Sequence, residues 1–296
     1  MSDMKKKEKV LVAGATGYLG RYVVQEFKER GYWVRALART PEKLGGHGPF
    51  NEPAVDMMVD EIFVGEVTKP ETLRGLCDEI DIVFSSIGIT RQRDGLSFMD
   101  VDYQGNKNLL DIALQSSVKK FIFVSVFQAN DIAHLAEARE LFVRELQQSG
   151  LDYGVIRPTG YFSDMGEYLK MAQSGRVYLL GTGQNKINPI HGKDLAGVCV
   201  ETAQDKRCRV ERDVGGPEVF CYEEIAALAF ETCNTQGKIW RIPMWLVRAV
   251  IKLIQPFSKH AHHMATFFTT VMNNDFVAPR VGSHFLRQYF KEISCS

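Results

Sequence analysis

An apolar run, Val10-Leu11-Val12-Ala13, passes directly into Gly14-Ala15-Thr16-Gly17-Tyr18-Leu19-Gly20. Leu19, Val23 and Phe27 then recur every four residues, with Val24 beside them, which predicts a helix. A strand that turns on glycines straight into a helix fixes the first layer of an α/β fold. Such a turn needs glycine because the bend is tight, the backbone must approach a pyrophosphate closely, and the helix must pack near the sheet. The amides at the helix start then face the phosphate charge. The spacing here is Gly-x-x-Gly-x-x-Gly, and the strand–turn–helix context favours dinucleotide binding over a plain tight turn.

The rest of the chain repeats the alternation. Gly31 suits a helix C-terminus, and Trp33 to Ala38 reads as a second strand. The stretch from Thr40 to Val59 holds Gly45-Gly46, Gly48-Pro49 and Pro53, so it is expected to be a long loop with at most one helical turn. Further strands are expected at Ile62 to Val64, Asp81 to Ser86, Phe121 to Ser125 and Asp152 to Arg157. Helices are expected at Pro70 to Glu79, Asp102 to Ser116 and Ile132 to Gln148. The strand runs show little polar alternation, which predicts burial on both faces and a parallel sheet covered by helices. After Arg157 the rhythm changes. Gly160 to Gly183 is rich in aromatics and glycines, followed by helices at Asp194 to Ala203, Tyr222 to Cys233 and from Pro243 to about Ile254.

Composition narrows the function classes. Over 296 residues, Lys plus Arg and Asp plus Glu each number 36, so a zero formal charge gives no support to a broad nucleic-acid surface. No apolar run approaches a membrane span, and residues 1–8 read as a loose, basic leader rather than a signal peptide. Six cysteines without a Cys-x-x-Cys pair argue against a disulfide scaffold or a zinc ribbon and favour a reducing, cytoplasmic setting.

The end of the second strand bears on which dinucleotide is bound. NAD binders place an acid there for the ribose hydroxyls. Here the segment is Arg35-Ala36-Leu37-Ala38-Arg39-Thr40, with Arg39 where a 2′-phosphate would lie and Lys43 within loop reach. A guanidinium offers phosphate a rigid fork of donors. NADP(H) is therefore expected over NAD(H).

Several further stretches accompany the glycine turn: Gly65-Glu66-Val67-Thr68, Ser85-Ser86-Ile87-Gly88, Val101-Asp102-Tyr103-Gln104-Gly105-Asn106, Ser149 to Tyr153 leading to Ile156-Arg157-Pro158, and Asn188-Pro189-Ile190-His191-Gly192 before Asp194-Leu195. Together they resemble the short-chain dehydrogenase/reductase superfamily, specifically its atypical NmrA-like branch. The resemblance implies a Rossmann-type doubly wound parallel sheet over residues 9–157. It implies a smaller substrate-binding lobe over 158–296, with the helix at about 192–204 packing back on the sheet. It also implies that Gly14, Thr16, Gly17, Tyr18, Leu19 and Gly20 hold the cofactor diphosphate, and that Glu66 and Val67 contact adenine. Ser86, Ile87 and Gly88 would line the nicotinamide ribose, and Ser125 and Pro158 would flank the nicotinamide.

The superfamily's catalytic set is a Ser with a Tyr-x-x-x-Lys pair on one helical face. There the Lys lowers the Tyr pKa for proton exchange with the substrate. By resemblance, Ser125 stands at the Ser position and Arg139 at the Lys position, while Leu135 fills the Tyr position and cannot transfer a proton. Tyr161 and His191 are the replacement acids that the sequence offers, against a reading of both as packing residues.

His260-Ala261-His262-His263 lacks neighbouring acid or Cys ligands and is read as a solvated loop, with no metal. Arg91-Gln92-Arg93-Asp94 reads as an exposed rim or as a contact for an anionic substrate or the cofactor phosphates. The cysteines read as small buried or half-buried residues. The 244–254 helix has an apolar face broken by Arg248 and Lys252; it packs on its own domain or rests on a membrane surface or partner. The expected function is an NADPH-dependent reductase of a small, largely apolar substrate. The alternatives are a non-catalytic NADP(H)-binding redox sensor, regulator or assembly factor with a protein partner, and a nucleotide-sugar epimerase-like enzyme.

Overall fold

The core of the sheet is laid down by short, fully apolar strands. In the computed structural model, which describes residues 7–89, 95–128, 135–254, 256 and 259–294, Val10 to Ala13 are wholly buried in β1 (Lys9–Ala13). Beside it run β2 (Trp33–Ala38), β3 (Glu61–Val64), β4 (Ile82–Ser85), β5 (Lys120–Val124), β6 (Asp152–Pro158) and β9 (Arg209–Val214). Their order in the seven-stranded sheet is β3-β2-β1-β4-β5-β6-β9. β1 pairs in parallel with both β2 and β4, and the parallel pairing continues to β3 on one side and through β5 to β6 on the other. This is the doubly wound, Rossmann-like arrangement. β3 departs from the expected burial on both faces: Ile62 and Val64 are exposed because it lies at the sheet edge.

Helices supply the covering layers. In α1 (Tyr18–Glu29), Leu19, Val23, Val24 and Phe27 turn inward, and Gly31 takes the left-handed φ of +84° that the chain needs on leaving the helix. On one face of the sheet, Leu11, Val83, Phe121 and Phe123 meet Leu109, Leu110, Phe142 and Leu146 of α2 (Asn106–Leu114) and α3 (Leu135–Gln148). A π-helical turn, Met99–Gly105, precedes α2, so the helix expected from Asp102 begins earlier and with wider winding. The helix expected over Pro70 to Glu79 is only a 3-10 turn, Pro70–Leu73. Gly75 and Glu79 take left-handed φ, and the buried Arg35 guanidinium donates to the carbonyls of Gly75, Leu76 and Asp78. With those carbonyls satisfied, no helix is needed there.

Two compact units divide the chain. The first draws on the described parts of Met1–Ser125, Ala138–Ile156 and Leu195–Arg212, the second on those of Val126–Glu137, Arg157–Asp194 and Asp213–Ser296. The first contains most of the sheet and all but the first turn of α5 (Gly192–Gln204). The second packs α4 (Phe162–Gln173), α6 (Tyr222–Thr232) and α9 (Leu286–Ser294) against one another. It also holds a parallel pair, β7 (Arg176–Leu180) with β11 (Lys238–Ile242), and an antiparallel pair, β8 (Lys186–Ile187) with β10 (Phe220–Cys221). Asn188 is its hub. The side chain donates to the carbonyls of Gly216 and Ala278 and accepts from the Ala278 amide, and its own carbonyl accepts from the Thr159 hydroxyl at 2.6 Å.

α7 (Met244–Ile254) and α8 (Lys259–Asn273) complete this unit. The His260 to His263 stretch therefore lies in a helix, not in the loop expected from its polarity. Among the described residues no group of His, Cys, Asp and Glu is placed to hold a metal ion. Cys77 and Cys199 are buried and Cys221 and Cys233 half-buried, but Cys208 is exposed. Burial pushes the Cys77 thiol up to about 12 and raises that of Cys199, so neither is a nucleophile at neutral pH. Arg91 to Asp94 and Ile132 to His134 lie outside the described residues.

Candidate functional site

The register of the parallel strands decides which residues share the carboxyl end of the sheet. Ala13 stands opposite Leu37 and Ser85, Ala38 opposite Val64, and Ser85 opposite Phe123. Gly14, Arg39, Glu66, Ser86 and Ser125 thus all follow closely on strand ends along one edge of the first unit. That is where open α/β sheets bind ligands.

At Gly14 and Gly20 the turn leaves no room for a side chain. Gly14 has φ of +92°, and a Cβ on it would fall 2.7 Å from the Ser86 hydroxyl. A Cβ on Gly20 would lie 2.0 Å from the Gly14 carbonyl oxygen, so α1 packs on the turn itself. Gly17 donates its amide to the Gly14 carbonyl at 2.9 Å and is the N-cap of α1, with no side-chain cap. Thr16 and Tyr18 are half-buried, and Leu19 is buried in the core, so its contribution at the turn is backbone.

Arg21 is a residue that sequence reasoning missed. It is buried, and its guanidinium donates to the carbonyls of Gly46 and Pro53, both at 2.8 Å, to that of Lys43, and at 3.4 Å to that of Thr16. One side chain thereby ties the glycine turn to the loop after β2. Its only sequence signal is an arginine set among apolar helix positions.

Arg39 is 60% exposed at the end of β2, with its guanidinium 3.9 Å from Glu66. Lys69, at 2.8 Å, and the Thr68 hydroxyl hold Glu66, and the Lys69 ammonium keeps its carboxyl below the usual range. Lys43 is exposed on the 3-10 turn Pro41–Leu44. Val67 is buried and packs where a Cβ on Gly105 would stand.

The loop after β4 is held from behind. Ser85 donates its hydroxyl to Asn106 at 2.6 Å, and Asn106 donates to the Ile87 carbonyl. The buried Asp102 accepts from the Ile89 amide at 3.0 Å and from Arg139 Nε at 2.8 Å. A Cβ on Gly88 would meet Arg139 at 2.2 Å, so the guanidinium occupies the space that glycine leaves. Burial raises the Asp102 carboxyl, and Arg139 opposes that rise. Ser125, also buried, donates its hydroxyl to Glu140 at 2.9 Å, and its carbonyl accepts from Arg139 at 3.3 Å. The first unit therefore joins Ser125 and Arg139 in one network, with Asp102 and Glu140 as the partners that sequence reasoning did not supply.

Pro158, Tyr161 and His191 belong to the second unit. The Pro158 carbonyl accepts from the Phe127 amide. Tyr161 is half-buried at the start of α4 and bridges Ile190. His191 is packed among Phe162, Tyr289 and His284, stacking on the last at 4.5 Å, while its Nδ1 accepts from the Lys193 amide. Burial pushes its pKa down to about 4, so at neutral pH it has no imidazolium proton to give.

A Cβ on Gly14 or Gly20 would clash, so only glycine lets the backbone run this tightly, which suits close approach of a diphosphate, and an exposed cation stands at the end of β2. The residues present fit a dinucleotide. Comparison with known proteins agrees with this reading. At 25% identity over 268 residues, 84% of the chain matches the chloroplastic divinyl chlorophyllide a 8-vinyl-reductase of Arabidopsis thaliana, and the match spans 63% of that protein's length. The photosystem II assembly factor Ycf39 of Synechocystis is 27% identical over 85% of the chain and 74% of its own length. A crystal structure of the Escherichia coli NADPH-dependent quinone oxidoreductase QOR2, complexed with NADPH, superposes with a TM-score of 0.74. It covers 96% of this chain and 99% of its own at 14% identity, a likeness of fold. The NAD(P)H-binding family profile matches residues 14–206, beginning at the first glycine of the turn, and the chain belongs to that family.

Proposed function

We propose that the protein is an NADPH-dependent reductase of a small, largely apolar acceptor in which the reducible bond is conjugated. The observation that carries this is Arg39 at the end of β2, exposed, in the unit that also holds the glycine turn. Gly14 to Gly20 would take the diphosphate, with Arg39 and Lys43 on the 2′-phosphate and Glu66 and Val67 beside adenine. Ser86, Ile87 and Gly88 would face the nicotinamide ribose, and Ser125 the nicotinamide. When bound, NADPH supplies a hydride. The chain's own task is then to bind, orient and supply a proton. Leu135 stands in place of the usual Tyr, and Arg139 is engaged with Asp102. A conjugated acceptor fits this site because delocalisation stabilises its anion, so a water-borne proton suffices. The names of the similar vinyl-reductase and quinone oxidoreductase support such a class.

The test is a parallel titration with NADPH and NADH, followed by a panel of enone, quinone and conjugated vinyl acceptors. Arg39→Ala is expected to weaken NADPH binding by about tenfold to a hundredfold, the value of a charge-assisted contact, while leaving NADH nearly unchanged. Equal losses for both would remove the assignment. A second reading, a non-catalytic NADP(H)-binding regulator, is favoured by one observation. The hydroxyl of Ser125 and the guanidinium of Arg139 are both engaged within the fold. Tight NADPH binding without turnover on the whole panel would select it.

A further inference from the structure

In α7, Met244, Val247, Ile251 and Ile254 recur at helical spacing and are half-buried, which makes them the inward face. An ordinary surface helix would turn polar residues outward. Here the outward arc is Trp245, Leu246, Val250 and Leu253, with Trp245 71% and Leu253 69% exposed. Arg248 and Lys252 lie together on the border between the two arcs, one turn apart.

The preceding strand continues the pattern. β11 pairs with β7 so that Trp240 stands opposite Tyr178 and Lys238 opposite Arg176, and all four are exposed. Two aromatic rings therefore sit side by side, next to two cations, on the strand pair that leads into α7. Charge is one-sided as well. From residue 232 to 274 the chain has five Lys and Arg residues and no Asp or Glu, and of the five Arg241 is paired with Glu223 from outside the stretch at 2.6 Å. Apolar exposure on this scale marks an interaction surface.

We propose that α7, with the exposed face of β7 and β11, docks on the surface of a bilayer containing anionic lipid. The helix spans about 16 Å, enough to lie in the interface but not to cross it. Trp245, Leu246 and Leu253 enter the acyl boundary. Trp240 and Tyr178 sit at headgroup depth, where amphipathic rings concentrate. Arg248, Lys252 and Lys238 reach lipid phosphates from long stems. A second copy of the chain is a poorer occupant, because a self-complementary interface would set this acid-free stretch against itself.

The experiment is co-sedimentation of the full chain with vesicles of phosphatidylcholine alone and of phosphatidylcholine mixed with phosphatidylglycerol, at low and high salt. The emission of Trp240 and Trp245 is read in a Trp33→Phe background. Binding should be about tenfold or more stronger on the anionic vesicles, fall with salt, and shift the emission to the blue. R248S/K252S should lose most of the anionic preference, and W245A/L253A should lose binding altogether, with circular dichroism and Tm unchanged because these side chains are exposed. Equal partition to both vesicle types, or binding that survives W245A/L253A, overturns the proposal. So does a lipid-free dimer that W245A/L253A converts to monomer.

Discussion

The Arg139 guanidinium donates through Nε to the fully buried Asp102 carboxylate at 2.8 Å and lies in the space left by the missing side chain of Gly88. By resemblance, the position of Arg139 belongs to a catalytic lysine. In this chain its charge instead neutralises a buried acid that carries the Ile89 amide. Arg139→Ala would leave that carboxylate buried without a cation, at a cost of about 3–5 kcal/mol. A carboxyl raised above 3.8 in the native state holds its proton more tightly there than in the unfolded chain. Stability therefore falls as pH rises through that interval, and the Arg139→Ala deficit should shrink on acidification. Urea unfolding of R139A, D102N and the double variant checks this; a double variant as unstable as the sum of the singles would show the pair to be uncoupled.

The glycines of the turn should separate by position. Gly20→Ala places its Cβ 2.0 Å from a backbone oxygen and should cost about 2–3 kcal/mol through overpacking. Gly17 has an ordinary φ of −85° and is exposed, and a Cβ added there would meet only the Gly14 oxygen, at 3.3 Å. Gly17→Ala should cost under about 1 kcal/mol of stability yet weaken NADPH binding about tenfold by blocking close approach. Thermal melts and fluorescence titrations on both variants read the two effects apart.

Arg21→Met keeps the buried stem and removes the donors that satisfy the carbonyls of Lys43, Gly46 and Pro53. The expected loss is about 2–4 kcal/mol, with amide exchange in residues 41–58 accelerating more than in the sheet. Protection unchanged in that loop would mean that Arg21 does not hold it.

His191 predicts a pH dependence of opposite sign to that of Asp102. Its pKa lies at about 4 in the fold against 6.5 ordinarily, from burial first and the neighbouring His284 second. The native state binds fewer protons than the unfolded chain between those values. Its contribution is fully present above about pH 6.5 and is lost as pH falls toward 4, about 3 kcal/mol across the interval. Denaturation midpoints at about pH 7 and pH 5 should converge in His191→Phe, which cannot titrate.

The first unit was largely legible because its determinants are local. Val10 to Ala13, Ile82 to Ser85 and Phe121 to Val124 are apolar runs, and the glycine turn announces its own conformation. What escaped depends on partners remote in sequence. Arg21 is explained only by Gly46 and Pro53, Arg139 only by Asp102, and the lost helix after Leu73 only by Arg35. β7 is short and alternating, and its partner β11 lies about sixty residues on, so no local pattern marks the pair. Asn188 stood out as part of a motif, but its role as a hub needs Gly216 and Ala278 in place.

That hub has a consequence for the order in which the molecule is made. Asn188 cannot complete its bonds until Ala278, ninety residues further on, has been synthesised. The first unit has all its residues by Arg212 and can close while translation continues. The second must wait with a buried amide unsatisfied. A chain stalled between Arg212 and Ala278 would therefore carry a complete first unit and an incomplete second, and truncation before residue 278 should unfold far more than the residues it removes.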